Sequence, residues 1–165
     1  MSTADMNVIY LKDYLAPAFK IESVELTFSL FEDGAKVFAR QTVSKINPDV
    51  SDLVLDGEEL ELRGLRIDGR DLSSNEYVIE AEKLTIKAVP EQFILECETW
   101  IKPQENKRLE GLYKSSTMFC TQCEAEGFRR ITYYLDRPDV MSLFTTRVEA
   151  DKALYPNLLS NGNLI

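Results

Sequence analysis

Two cysteines, a glutamine and a glutamate lie close together in the segment Cys120-Thr-Gln-Cys-Glu124. Thiolates and carboxylates can bind metals or cations, so this segment has several side chains capable of chemistry within five residues. A Cys-x-x-Cys pair can be half of a structural zinc site or a redox pair. A structural zinc site needs four ligands, and the chain offers only one further cysteine, Cys97. A redox motif is typical of a βαβ setting, which the sequence does not show.

The chain contains no histidine. Histidine is the commonest metal ligand and the usual acid–base group near neutral pH. Neither a Ser-His-Asp triad nor an H-E-x-x-H zinc site can be built from these 165 residues. We therefore expect no catalytic residue and no metal ligand in this chain, and any hydrolytic chemistry must depend on residues beyond Ile165.

Charge and hydropathy exclude other classes of protein. The chain carries 28 acidic and 19 basic residues, for a net charge of −9, and lacks the basic stripe of a nucleic-acid-binding protein. No apolar run approaches the roughly 20 residues of a membrane-spanning helix. Residues 1–6 lack the features of a secretory signal. We expect a cytoplasmic protein that binds neither nucleic acid nor membrane, with its odd number of three cysteines reduced.

The elements that must position the Cys120–Glu124 segment are strands. Apolar and polar residues alternate from Val24 to Leu30, which is typical of a half-buried strand. Asp33-Gly34 then predicts a hairpin turn to a second strand over residues 36–46, because both turn residues can adopt positive φ. The same signal recurs at Asp56-Gly57 and Asp68-Gly69.

The remaining strands are predicted from shorter patterns. The alternation changes phase after Leu62, which predicts a β-bulge at Gly64. Further strands are expected at residues 77–81, 84–88 and 92–101. No helical stripe occurs before residue 100, so the sequence predicts an all-β sandwich or curved sheet.

The later part of the chain has less regular patterns. Residues 102–130 have no clean period and predict a long structured loop. Asp136 is a candidate N-cap for a short helix over Pro138–Leu143, and alternation predicts a strand over residues 144–150. Asn161-Gly162 predicts a hairpin turn whose returning strand has barely begun at Ile165, so we expect the domain to be truncated at this end.

Five segments in the last third of the chain carry a resemblance to a known family. They resemble the bacterial aminopeptidase N (alanyl aminopeptidase) family of zinc metallopeptidases: Leu109–Tyr113, Cys120–Arg129, Ile131–Val140, Phe144–Arg147 and Leu158–Asn163. The resemblance implies that residues 1–165 are a saddle-shaped, mostly antiparallel, β-sandwich-like N-terminal domain. It also implies that the catalytic domain is absent from this chain.

The family enzyme removes one residue at a time from peptide N-termini. Its zinc is held by the H-E-x-x-H motif of the catalytic domain, on the same polypeptide, so no metal is expected in this chain. The resemblance assigns Glu124 to binding the free α-amino group of the substrate and Gln122 to lining the pocket for the first side chain. The N-terminal domain would thus cap the active site, and the isolated chain would be inactive. Leu143 departs from the basic residue common in the family, and we expect it on the short helix, outside the site.

Other interpretations remain open from the residues alone. Glu124 and Glu126 could be solvated loop charges, and Arg129 and Arg130 are expected to form ion pairs within this acidic domain. Tyr133 and Tyr134 are adjacent, so on a strand at most one of them would face a pocket. The alternative function is a non-catalytic β-module that binds a protein or peptide. An H-E-x-x-H motif downstream would favour the enzyme, and a degraded motif would favour the module.

Overall fold

The computed structural model describes residues 10–165. The prediction that the chain has no signal sequence concerns residues outside this range. Over residues 10–165 the chain forms two single-turn 3₁₀ helices, Leu11–Asp13 and Phe128–Arg130, and eleven strands. The strands are β1 Phe19–Leu30, β2 Ala35–Lys45, β3 Leu53–Asp56, β4 Glu61–Ile67, β5 Arg70–Asp71, β6 Tyr77–Ile79, β7 Lys83–Ile86, β8 Gln92–Ile101, β9 Gly111–Ser115, β10 Met118–Gln122 and β11 Leu143–Glu149.

The strands form a large sheet, a small sheet and a separate hairpin. The large sheet has the order β11-β1-β2-β8-β4-β5, the small sheet has the order β3-β7-β6, and β9 pairs with β10. Strand β11 runs parallel to β1, and every other described pairing is antiparallel. The predicted all-β, mostly antiparallel fold is therefore confirmed.

One face of the large sheet is buried because apolar residues alternate along its central strands. Ile21, Val37 and Leu95 are fully buried in β1, β2 and β8, and they join Leu55 and Ile86 of the small sheet in one core. The opposite face is polar, as expected for an antiparallel sheet with one wet face. On that face the Arg40 guanidinium lies 3.0 Å from Glu25 and 3.6 Å from Glu96.

The three Asp-Gly signals have three outcomes. Asp68 and Gly69 have φ of 51° and 78°, so the tight turn between β4 and β5 is as predicted. Asp33-Gly34 lies in the β1–β2 hairpin, but neither residue has positive φ. A Cβ at Gly34 would lie 2.3 Å from the Trp100 ring, so close packing explains that glycine. Asp56-Gly57 is not a hairpin, because β3 and β4 belong to different sheets.

The predicted β-bulge is confirmed, since the register of β4 on β8 shifts between Leu62 and Gly64.

The prediction of a short helix over Pro138–Leu143 is wrong. A turn closed by the Val140 N–H to the Arg137 carbonyl is followed by extended backbone, and Leu143 is the first residue of β11. Tertiary pairing prevails over the local helix signal, because β11 must extend to pair with β1.

Two other predictions change around the candidate site. Residues 102–130 are not all loop, because they contain the β9–β10 hairpin, whose turn includes Ser116 at φ 55°. Tyr133 and Tyr134 are not on a strand, and both are buried, at 2% and 4% exposure. Tyr134 instead makes an isolated antiparallel bridge to Asp56.

The segment after β11 crosses the β9–β10 hairpin. The Tyr155 hydroxyl donates to a Glu32 carboxylate oxygen at 2.5 Å, and its ring lies 5.2 Å from the Phe119 ring of β10. Gly162 has φ of 96°, which suits the predicted turn at Asn161-Gly162, while the returning strand stays a prediction. Among residues 10–165 no helix has the length and apolar character to cross a membrane.

Candidate functional site

The candidate site is a closed loop, Cys123–Gly127, that begins where β10 ends. The Gly127 N–H donates to the Cys123 carbonyl at 2.8 Å, which closes the base of the loop. Glu124 is exposed near its tip, and the Glu124–Ala125 peptide bond is cis. The Gln122 side-chain amide donates to the Glu124 carbonyl at 3.2 Å. The structure therefore brings together the two residues singled out from the sequence.

Two glycines allow the loop to lie tightly on the hairpin. A Cβ at Gly127 would lie 2.5 Å from the Gln122 carbonyl oxygen, and a Cβ at Gly111 would lie 2.7 Å from Arg130 Cβ. Gly111 also has φ of 68°, which favours glycine. These contacts fix the start of β9 against the base of the loop.

Arg129, just after the loop, is held by Asp136. The Arg129 backbone N–H and Nε both donate to Asp136 Oδ2, at 3.1 and 2.9 Å, and Nη2 donates to the Asp136 carbonyl at 2.9 Å. Burial opposes the charge on Arg129, but the Asp136 hydrogen bond and nearby carboxylates raise the pKa of the guanidinium overall. The predicted ion-pair role of Arg129 is confirmed.

Arg130 is buried at 5% exposure and points the other way. Its guanidinium pairs with Glu58, with Glu59 at 2.7 Å and with Glu110 at 3.2 Å. The predicted ion-pair role of Arg130 is therefore also confirmed. The site's two arginines are both engaged by carboxylates of this domain.

The two loop glutamates differ in their partners. Glu126 lies 3.3 Å from Arg129 Nη2. Among the described residues, no basic side chain lies within 4.0 Å of the Glu124 carboxylate. The Glu124 carboxylate is thus exposed and available to a cationic ligand.

An open groove of about 900 Å³ lies beside the loop, and Gln122 and Glu124 contribute to its wall. Phe128 packs edge-on against Phe144 of β11, with ring centroids 5.5 Å apart. Other apolar walls come from β1, β10, β11 and the C-terminal segment, including Leu26, Phe28, Phe119 and Leu158. The groove therefore combines one carboxylate with a largely apolar lining.

The cysteines are free thiols in the described structure. Burial raises the pKa of Cys97 to about 12 and that of Cys123 to about 11, so neither is poised as a thiolate. Cys120 lies on β10 and also lines the groove. Over residues 10–165 no group of three or more metal-ligating side chains is assembled, so this part of the chain does not fit a zinc ion.

Sequence reasoning missed the role of Asp136. It was expected as a helix N-cap, but its carboxylate accepts from Arg129 and no helix follows. The only signal was charge complementarity between Arg129 and Asp136 seven residues apart. Leu143 was expected on a short helix but lies on β11, where its side chain is 75% exposed.

The chain is similar to a known protein family and to proteins of known sequence. The model of the family described as peptidase M1 N-terminal domain matches residues 23–165. The chain is 47% identical to aminopeptidase N of Caulobacter vibrioides over 163 residues, 99% of this chain and 19% of that protein. It is 45% identical to aminopeptidase N of Escherichia coli over 158 residues, 94% of this chain and 18% of that protein.

Solved structures show the same fold. Aminopeptidase A of Legionella pneumophila in complex with aspartic acid matches with a TM-score of 0.88 and 35% identity, over 94% of this chain and 19% of that chain. The M1 zinc metallopeptidase of Deinococcus radiodurans matches with a TM-score of 0.69 and 19% identity, over 82% of this chain and 33% of that chain. At that lower identity the second likeness bears on the fold alone. The chain spans about a fifth of the length of the two aminopeptidase N relatives.

Proposed function

Because the chain belongs to the peptidase M1 N-terminal domain family, we propose that it is the N-terminal domain of a zinc-dependent aminopeptidase. The complete enzyme releases N-terminal amino acids from peptides. The names of the two aminopeptidase N relatives support this activity, and so does the high identity across nearly the whole chain. The structure of the Legionella relative contains aspartic acid, which supports the proposal that the site accepts an amino acid.

The zinc ion belongs to the rest of the polypeptide. This chain has no histidine, and residues 10–165 assemble no metal-binding group. When bound, zinc activates water and polarises the scissile carbonyl in enzymes of this kind. The residues of this chain contribute binding and orientation only.

Glu124 binds the α-ammonium group of the substrate in this proposal. The observation that carries it is an exposed carboxylate without a basic partner, on a loop whose base is tightly held. A carboxylate and an ammonium group form charge-assisted hydrogen bonds, which are stronger than neutral ones. A carboxylate at this position also limits how far a peptide can extend past its N-terminus, so the domain caps the active site.

Gln122 is proposed to line the pocket for the first side chain. Its amide nitrogen already bonds to the Glu124 carbonyl, so the rest of the side chain borders the same space. The partners of this domain are thus the peptide N-terminus and the catalytic domain of the same polypeptide. We propose a cytoplasmic location, because free thiols are typical of that compartment and the three cysteines are free. The net charge of −9 argues against a nucleic-acid partner.

The test is Glu124→Gln in the full-length enzyme. This change keeps the size of the side chain and removes its charge. Since a hydrogen bond to a charged group contributes about 1.5–3 kcal/mol, kcat/KM should fall about 10- to 150-fold for substrates with a free α-amine. Steady-state kinetics on amino-acid anilides measure this loss.

Glu126→Gln is the matched control, because Glu126 is on the same loop but already paired with Arg129. Zinc content and folding should be unchanged in both variants, and inhibitors without the amine should bind both as they bind the wild type. Equal kinetics for the two variants would refute the role given to Glu124. A full-length protein without peptidase activity would instead support a non-catalytic binding module.

A further inference from the structure

The loop that carries Glu124 stands on a partly buried ion-pair network, and we infer that Arg129 and Asp136 are positioning residues for the Glu124 carboxylate. This inference rests on the proposed role of Glu124 in binding the substrate amine. Neither residue needs to touch the substrate. Both act through the backbone of the Cys123–Gly127 loop.

Arg129 is fixed at both its backbone and its side chain. Its N–H and Nε share Asp136 Oδ2, and Nη2 donates to the Asp136 carbonyl at 2.9 Å. The Arg129 carbonyl accepts the Glu58 N–H at 3.0 Å. This pair is largely shielded from solvent, because the Arg129 side chain is only 17% exposed and that of Asp136 only 9%. Such a pair holds a defined geometry better than an exposed one.

Asp136 is fixed in turn to the small sheet. Its N–H donates to Asp56 Oδ2 at 3.0 Å, and Asp56 Oδ1 pairs with Lys83. Asp56 also exchanges two backbone hydrogen bonds with Tyr134, at 2.7 and 3.1 Å. The base of the loop is thereby attached to β3 and β7, two strands whose apolar residues belong to the core.

The attachment passes directly to the loop. Arg129 is two residues beyond Gly127, whose carbonyl accepts the Arg130 N–H at 3.1 Å and whose N–H closes the loop on Cys123. Gly127 also packs closely on β10, since a Cβ built on it would lie 2.5 Å from the Gln122 carbonyl oxygen. Only two peptide bonds separate Arg129 from the base of the loop, so we expect a displacement of Arg129 to displace the loop. Displacement of a binding group by about 1 Å can cost about 100-fold in rate.

The experiment is a double-mutant cycle in the full-length enzyme. Asp136→Asn keeps the shape of the side chain but removes the charge that holds Arg129. It should lower kcat/KM for an amino-acid anilide about tenfold, mainly through KM, when Glu124 is present. In the Glu124→Gln background the same change should cost less than about twofold. An inhibitor without an α-amine should bind both forms equally.

Asp139→Asn is the control, since it breaks the nearby Arg137–Asp139 pair without touching the loop. Arg129→Lys is a second variant, which retains the charge but cannot make both side-chain bonds, and it should show an intermediate loss. Hydrogen exchange at the Gly127 amide should rise in both Asp136→Asn and Arg129→Lys, while exchange in β2 and β8 stays unchanged.

The outcomes separate the two proposals. Equal losses from Asp136→Asn with and without Glu124 would overturn the positioning role and leave the role of Glu124 intact. Loss of kcat/KM accompanied by equal weakening of the amine-free inhibitor would also overturn it, since that pattern indicates general disruption. Full activity of Glu124→Gln would refute the proposed role of Glu124, and the positioning role with it.

Discussion

At the scale of single residues, Gly127 leaves no room for a side chain. A methyl group at this position would lie 2.5 Å from the Gln122 carbonyl oxygen and 3.1 Å from Cys123 Cα, both backbone atoms. Gly127→Ala should therefore lower the free energy of unfolding by about 1–3 kcal/mol, as overpacking does elsewhere. Chemical denaturation of the two proteins measures the difference.

Gly64→Ala is the control for this change. Gly64 has ordinary φ, and the nearest atom to an added Cβ is Glu98 Cβ at 3.8 Å. Its free energy of unfolding should differ from that of the wild type by less than about 0.5 kcal/mol. If the two alanine variants are equally stable, the loop can shift away from the hairpin, and the tight base described above is not essential.

The roles of Gln122 and Glu124 came from the family resemblance and stay predictions. The structure places Gln122 at the end of β10, beside Glu124 of the Cys123–Gly127 loop. The support of that loop could not be predicted from the sequence. Asp136 reaches Arg129 only because residues 131–135 follow an irregular buried path, which no periodic pattern encodes.

At the scale of elements, the connection between β5 and β6 depends on one carboxylate. Glu76 accepts two hydrogen bonds from the Arg70 guanidinium, at 2.8 and 3.1 Å, and two from Ser73. The Arg70 hydrogen bonds, followed by those of Ser73, lower the pKa of Glu76 to about 2 from 4.5. Its stabilising contribution is therefore complete above pH 4.5 and is lost as the pH falls from 4.5 towards 2.

This pH dependence can be tested with Glu76→Gln. Wild type should be more stable than the variant at pH 7, and the difference should shrink between pH 4.5 and pH 2. Urea denaturation at several pH values measures it. Glu80→Gln, at an exposed glutamate directly after β6, is the control and should change the free energy of unfolding by less than about 0.5 kcal/mol. A difference that stays constant with pH would show that Glu76 acts through packing rather than charge.

Strands were predicted correctly where apolar and polar residues alternate over a long segment. Strand β8 was predicted with its observed bounds, Gln92–Ile101, and the bulge at Gly64 followed from a change of phase. The β9–β10 hairpin was missed because its turn uses Ser116 rather than an Asn-Gly or Asp-Gly pair. The helix over Pro138–Leu143 was wrong because an N-cap and a proline also suit a simple turn, and pairing with β1 decided the outcome.

At the scale of the whole molecule, the isolated chain should bind no stoichiometric zinc and should not cleave amino-acid anilides. The physical reason is the lack of histidine and the presence of only three thiols, two of which have raised pKa values. Metal analysis after gel filtration tests the first expectation and an anilide assay the second. One tightly held zinc per chain, lost in Cys120→Ser, would contradict this account of the Cys-x-x-Cys pair.

The parallel pairing of β11 with β1 sets the order in which the sheet can assemble. Strands β1 and β2 are joined by residues 31–34, whereas residues 31–142 separate β1 from β11. Closing the longer loop in a disordered chain costs about 3 kcal/mol more. The central hairpin should therefore form early and β11 should join last, once the intervening chain has folded. Val148→Ala in β11 should mainly speed unfolding, whereas Val37→Ala in β2 should slow folding.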